Sequence, residues 1–137
     1  FVLTAMGEAH PVSRHRLLGT VLQQAGGRRS YALEGAVFTA GSLIQWLRDG
    51  LGLIGSAAET EALARSVPDS GGVTIVPALA GLGAPHWRPE ARGVIAGLTH
   101  AAGRAEIARA ALEAMAQQMH DLREAFAADG APWQALR

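Results

Sequence analysis

Apolar and β-capable residues dominate Phe1–Met6, and a polar turn region with Pro11 follows over Gly7–Arg16. Leu17–Leu22 and Tyr31–Leu33 read as two further short strands, parted at Gly26, Gly27 and the two arginines behind them. Such opening elements suit an antiparallel or meandering sheet. The period then changes. Val37, Ala40, Ile44 and Leu47 recur at helical spacing and predict a helix over Val37–Asp49, stopped by Gly50 and Gly52. A second helix is expected over Ala57–Arg65, where Ser56 and Glu59 have the spacing of a capping box. Val73–Val76 and Val94–Ala96 read as strands, with a long loop rich in Gly and Pro between them over Pro77–Arg92. The strongest signal is the last. Over Arg104–Ala128, Ile107, Ala111, Met115, Met119, Leu122 and Phe126 form one apolar stripe, opposite Glu106, Arg109, Glu113, Gln117, His120 and Glu124. Ala110 and Ala114 leave room for a neighbouring element, and Gly130 and Pro132 end the helix. Strand, loop, strand and long helix fit part of an α/β or α+β domain.

Composition narrows this picture. The 137 residues carry 12 basic and 12 acidic side chains, so the formal charge is zero and a nucleic-acid role, which needs a basic excess, is disfavoured. Every basic residue is Arg, and 28 residues are Ala. Cysteine is absent, which excludes disulfides, thiolate catalysis and a Cys-ligated zinc. No apolar run is long enough to span a membrane. A chain that opens at Phe1 and stops at Arg137 is expected to be a piece cut at both ends.

Several reaction motifs are missing, among them GxxxxGK[ST] and GxSxG. His10, His15, His86, His100 and His120 have no tight metal-ligand spacing, and His10 and His15 read as exposed loop residues. Gly81, Gly83 and Gly97 admit backbone close to a ligand, or only shape turns. Gly41 and Gln45 lie four apart on one helical face. A glycine that opens space and an amide one turn later suit a planar polar ligand such as a nucleotide base or ribose. The same pair also reads as a packing notch beside a surface Gln. Trp46 and Trp87 read as packed core or interface residues. Glu34, between Leu33 and Gly35, is a candidate buried carboxylate or helix cap. No complete catalytic set is present.

Three blocks carry a family resemblance. Tyr31-Ala32-Leu33-Glu34-Gly35 is followed by Ile44-Gln45-Trp46-Leu47-Arg48-Asp49, then by Gly81-Leu82-Gly83-Ala84-Pro85-His86-Trp87. Ala91-Arg92-Gly93 and Gly97-Leu98-Thr99 lead into the long helix. In this order and spacing the blocks resemble glycerol kinases, a branch of the FGGY carbohydrate kinases. The resemblance implies an α/β fold: a partial ribonuclease-H-like (actin-like ATPase) domain with a mixed sheet flanked by helices. It makes residues 1–137 a fragment of the C-terminal FGGY carbohydrate kinase domain. Rival readings are an FGGY kinase for a ketose or pentitol such as xylulose, and a non-catalytic structural or interaction fragment.

The resemblance also implies roles. Phe1 corresponds to the Phe of the family's GTGxF segment, whose ring packs on the carbon skeleton of glycerol. Gly41 and Gln45 correspond to nucleotide-binding positions. ATP is the phosphoryl donor and Mg²⁺ the accompanying ion, with the magnesium ligands, the general base and the other glycerol contacts outside this piece. A further nucleotide segment is expected behind Leu136 and Arg137. The fragment alone is expected to be inactive, and the full protein to be a cytoplasmic homo-oligomer acting on glycerol and ATP with no nucleic acid and no membrane span. Departures from the family pattern are His86 for a Tyr, Arg88 for an Asp, and His100 for the Arg after GLT. His86 reads as a loop-shaping or solvent-facing ring, with metal binding as the alternative. His100 puts family-specific surface or regulatory contacts in doubt.

Overall fold

The computed structural model describes residues 1–133 and Ala135. Leu136 and Arg137, behind which a nucleotide segment is expected, lie outside the described residues. The chain forms two compact units: residues 1–37, 83–88 and 118 onward make the first, and residues 38–82 and 89–117 make the second.

The first unit is built on β1 (Val2–Gly7), β2 (Leu18–Ala25) and β3 (Arg28–Gly35). They form an antiparallel sheet in the order β1-β3-β2, as the turn pattern implies. Two of these strands outrun the apolar pattern. The two-residue turn at Gly26 and Gly27 has both residues at positive φ, which pairs the strands right up to Ala25 and Arg28. The ladder therefore continues through Gln23, Gln24, Arg28 and Arg29, where side-chain burial plays no part. Leu33 and Gly35 share the core face of β3 by the two-residue period of a strand. A Cβ on Gly35 would stand 2.8 Å from Leu122 and 3.1 Å from Phe126, so glycine lets a helix lie against the sheet here. Leu17, Leu33, Ala84, Leu122, Ala125 and Phe126 form the core, with Val2, Met6, Val37 and Trp87 against it.

The second unit holds α1 (Gly41–Asp49), α2 (Glu59–Arg65) and the antiparallel pair β4 (Thr74–Val76) and β5 (Val94–Ala96). The long helix α3 (Arg104–Ala128) begins in this unit, and its residues from Gln118 onward belong to the first. Its bounds agree with those read from periodicity. At its start the Glu106 carboxylate accepts the Gly103 N–H at 2.8 Å. At its end Gly130 takes φ 76° and donates to Ala127, while the Ala131 N–H reaches the Phe126 carbonyl, which is a Schellman closure.

Three local expectations change. First, α1 starts at Gly41 rather than Val37. Val37 fits the helical period by coincidence, because it packs in the first unit's core. The buried anchors of α1 are Leu43 and Leu47, both 0% exposed, each worth roughly 1.5–3 kcal/mol of apolar burial.

Second, α2 starts at Glu59 after Ala58, and no side chain caps it. The Ser56–Glu59 box is half realised. The Glu59 carboxylate accepts the Gly55 N–H at 2.7 Å and also pairs with Arg104 at 2.9 Å. Ser56 contributes only its carbonyl, which accepts the Glu59 N–H.

Third, the buried stripe of α3 is mostly alanine. Ala108, Ala110, Ala111, Ala114 and Ala125 are buried, whereas Ile107, Met115 and Met119 are partly so. Ala110 and Ala114 share a core cluster with Val73 and Ile75, the close approach their size permits. The result is a mixed α/β fold with sheets flanked by helices. No helix among the described residues is long and apolar enough to cross a membrane.

Candidate functional site

The burial of Leu43 and Leu47 sets the rotation of α1, with Ile44 and Trp46 half-buried beside them. Gly41 and Gln45 consequently lie on the opposite, exposed face, one turn apart. Nothing lies within 4 Å of where a Gly41 Cβ would stand. The first turn of α1 carries no acidic residue, and Ala40 offers no side-chain cap. Glu34 therefore does not cap this helix; it sits half-buried on β3 between Leu3 of β1 and Leu18 of β2. Among the described residues, nothing packs into the space beside Gly41, so the packing-notch reading finds no partner there. A hollow of about 180 Å³ near α1 is lined by Leu43, Trp46, Ile75, Leu79 and Arg92, and neither Gly41 nor Gln45 contributes to it.

Phe1 precedes β1 in the first unit and is exposed. Gly41 and Gln45 belong to the second unit. Among the described residues no three or more His, Asp or Glu side chains converge as metal ligands.

A second polar constellation, in the first unit, was not legible from spacing. Asp129 follows the last turn of α3, and its side chain is only 5% exposed. It accepts the Ser13 hydroxyl, the Arg14 N–H at 2.9 Å and His15 Nδ1 at 2.8 Å. Burial pushes the Asp129 carboxyl up, but the donors from Ser13, Arg14 and His15 outweigh it and hold the group below its ordinary value. The set contains Ser, His and Asp without being a nucleophilic triad. The carboxylate is the hub, the Ser13 hydroxyl donates to it, and the Ser13 oxygen accepts the Leu17 N–H at 2.8 Å and the His15 N–H at 3.2 Å. The hydroxyl proton goes to the carboxylate and not to the imidazole.

His15 is an exposed loop residue, as read, and its ring is anchored to Asp129. His10 is exposed, and its ring meets Tyr31 edge-on at 5.2 Å. His86 pairs through Nε2 with Asp121 at 3.0 Å, which agrees with a loop-shaping role. Trp87 packs on the core and donates its indole N–H to Arg16. The only sequence cue to this cluster was a polar turn rich in Ser, Arg and His, some 115 positions from its partner.

A sequence model of the FGGY family of carbohydrate kinases, C-terminal domain, matches residues 1–137. The chain belongs to that family. Among its FGGY relatives, a glycerol kinase from Rhodospirillum centenum is 57% identical over 137 residues, covering all of this chain and 28% of the relative. The crystal structure of Plasmodium falciparum glycerol kinase with ADP superposes with a TM-score of 0.82 at 34% identity, over 96% of this chain and 26% of that one. A xylulose kinase from Rhodospirillum rubrum superposes with a TM-score of 0.69 at 30% identity, over 85% of this chain and 24% of that one. This FGGY chain spans little more than a quarter of the length of the relatives it matches.

Proposed function

We propose that the full-length protein is a glycerol kinase and that this chain is a fragment of its C-terminal FGGY domain. The observation that carries the reading is the exposed face of α1, where an unobstructed Gly41 precedes Gln45 by one turn. The absent Cβ at Gly41 admits a nucleotide to the backbone, and the Gln45 amide both donates and accepts toward ribose or base. Neither group reacts; both orient ATP. The exposed Phe1 ring supplies an apolar wall for the carbon skeleton of glycerol.

The reaction breaks the bond between the γ-phosphorus and the β–γ bridging oxygen and forms one to the terminal hydroxyl oxygen of glycerol. The hydroxyl proton passes to a base outside this chain, and the products are ADP and sn-glycerol 3-phosphate. Mg²⁺, when bound with the nucleotide, would offset phosphate charge, and on this reading its ligands belong to the rest of the full-length protein. Identity of 57% to a glycerol kinase over the whole of this chain supports glycerol as the acceptor. A cytoplasmic homo-oligomer completes the reading.

The test is a substrate panel on the full-length protein, with glycerol expected to be phosphorylated in preference to xylulose. Preference for a pentulose overturns the acceptor. Gly41→Leu should raise the KM for ATP about tenfold or more and leave the KM for glycerol in place, by loss of a positioning contact. An unchanged KM for ATP removes Gly41 from the nucleotide site.

A further inference from the structure

An open groove of about 520 Å³ lies in the first unit, and neither Phe1 nor any residue of α1 lines it. One wall comes from the turn before β2, with Arg14, His15 and Arg16, and from His86 of the 83–88 loop. The facing wall is α3, with Asp121 and Glu124. Pro85, Ala125 and Ala128 make its apolar surface. The volume falls in the range of small-molecule sites, about 300–1,000 Å³.

The charges in this groove are unevenly matched. Asp129, which anchors the wall, and Asp121 are each bonded to an imidazole, at 2.8 and 3.0 Å. His15 uses Nδ1 for this bond, which leaves Nε2 as the ring's other polar atom. Arg16 spends one N–H on the His86 carbonyl at 3.3 Å. Among the described residues, neither the Arg14 guanidinium nor the Glu124 carboxylate makes a hydrogen bond or ion pair, with each other or with any neighbour.

The wall is also held in an unusual backbone state. Arg16 and Trp87 are the two non-glycine residues at positive φ among the described residues, 67° and 49°, and they are bonded to one another. Such conformations persist where surrounding contacts over-determine them, and they collect at ligand clamps.

We propose that this groove binds a small phosphate monoester that carries a hydrogen-bond donor at its other end. Arg14 and Arg16 take the phosphate oxygens, Nε2 of the His15 ring, whose Nδ1–H goes to Asp129, accepts a phosphate O–H, and Glu124 accepts the donor tail. Guanidinium forks suit phosphate geometry, and the separated carboxylate selects an ammonium or hydroxyl end over bare inorganic phosphate.

The experiment uses full-length protein with histidine labelled at Cε1 and its nucleotide site filled with ADP. It is titrated with inorganic phosphate and, separately, with phosphoethanolamine. The His15 and His86 signals should shift saturably while His120 stays still, and phosphoethanolamine should bind more tightly than phosphate. Arg14→Glu should weaken both ligands about tenfold or more, the scale of one charge-assisted bond. Arg16→Gly removes a guanidinium at a backbone position glycine adopts freely and should act alike. Glu124→Gln should keep phosphate binding and erase the preference for phosphoethanolamine. Arg65→Glu, on α2, should change nothing. A still His15, affinities untouched by Arg14→Glu, or equal affinity for the two probes overturns the proposal. Filling the nucleotide site with ADP keeps this outcome separate from the fate of the kinase reading.

Discussion

The indole N–H of Trp87 donates to the Arg16 carbonyl at 2.7 Å across 71 positions of sequence. Arg16 returns a guanidinium bond to the neighbouring His86 carbonyl at 3.3 Å. The loop of residues 83–88 is thereby pinned to the turn before β2, and Ala84 N–H adds a bond to the Ala36 carbonyl at 2.8 Å. Trp87→Phe keeps a ring on the core and deletes the donor. It should lower stability by about 1–2 kcal/mol, the cost of one lost bond and a poorly satisfied carbonyl. Urea unfolding followed by circular dichroism measures this, and an unchanged midpoint removes the bond from the list of stabilising contacts.

Asp129 makes stability pH-dependent. Its carboxyl lies below its ordinary value when folded, so its contribution is present above the unfolded pKa of about 3.9 and is lost as pH falls through the folded value. Asp129→Asn should therefore be less stable than the parent at neutral pH, with the gap closing as the solution is acidified below about pH 4. A gap that stays constant across that range means the charge contributes nothing.

Gly97 and Gly130 separate steric from conformational cost. Both have positive φ, 78° and 76°. A Cβ on Gly97 would stand 2.0 Å from the Gly72 carbonyl oxygen, while one on Gly130 meets nothing within 4 Å. Gly130→Ala should cost about 1–2 kcal/mol for the left-handed backbone alone. Gly97→Ala should cost clearly more and disturb the β4–β5 pair. Equal losses in thermal unfolding would show that the backbone at Gly97 moves aside.

Glu59, and not Ser56, holds the start of α2. Glu59→Ala loses both the Gly55 N–H and Arg104, so a loss of about 1–2 kcal/mol is expected, whereas Ser56→Ala should be neutral within about 0.5 kcal/mol. The reverse ranking in chemical denaturation would restore the full capping box.

Gly41 should be dispensable for folding. The space beside it is open, and alanine is the better helix residue, so Gly41→Ala should leave stability unchanged or raise it by up to about 1 kcal/mol. A destabilised variant would mean that glycine is needed for the helix start itself. Together with nucleotide kinetics, this measurement tells a binding glycine from a structural one.

Much was settled along the chain alone. The stripe from Ile107 to Phe126 with Gly130 behind it defines α3, Gly26-Gly27 defines a hairpin turn, and the spacing of Gly41 and Gln45 puts both on one helical face. These are local properties, set by helical and strand periods and by what glycine's backbone allows, so neighbours in sequence suffice to read them. The family blocks are equally local. What the sequence left open depends on partners far away. Val37 fits a helix by period but packs elsewhere, and Glu59 turns from Ser56 toward Gly55 and Arg104. Only the fold brings Ser13, His15 and Asp129 together or leaves Arg14 and Glu124 unpaired in one groove. The physical reason is the reach of the interactions. Backbone propensity acts within a turn or two, while burial, hydrogen bonding and charge pairing depend on which surfaces meet after the chain has folded.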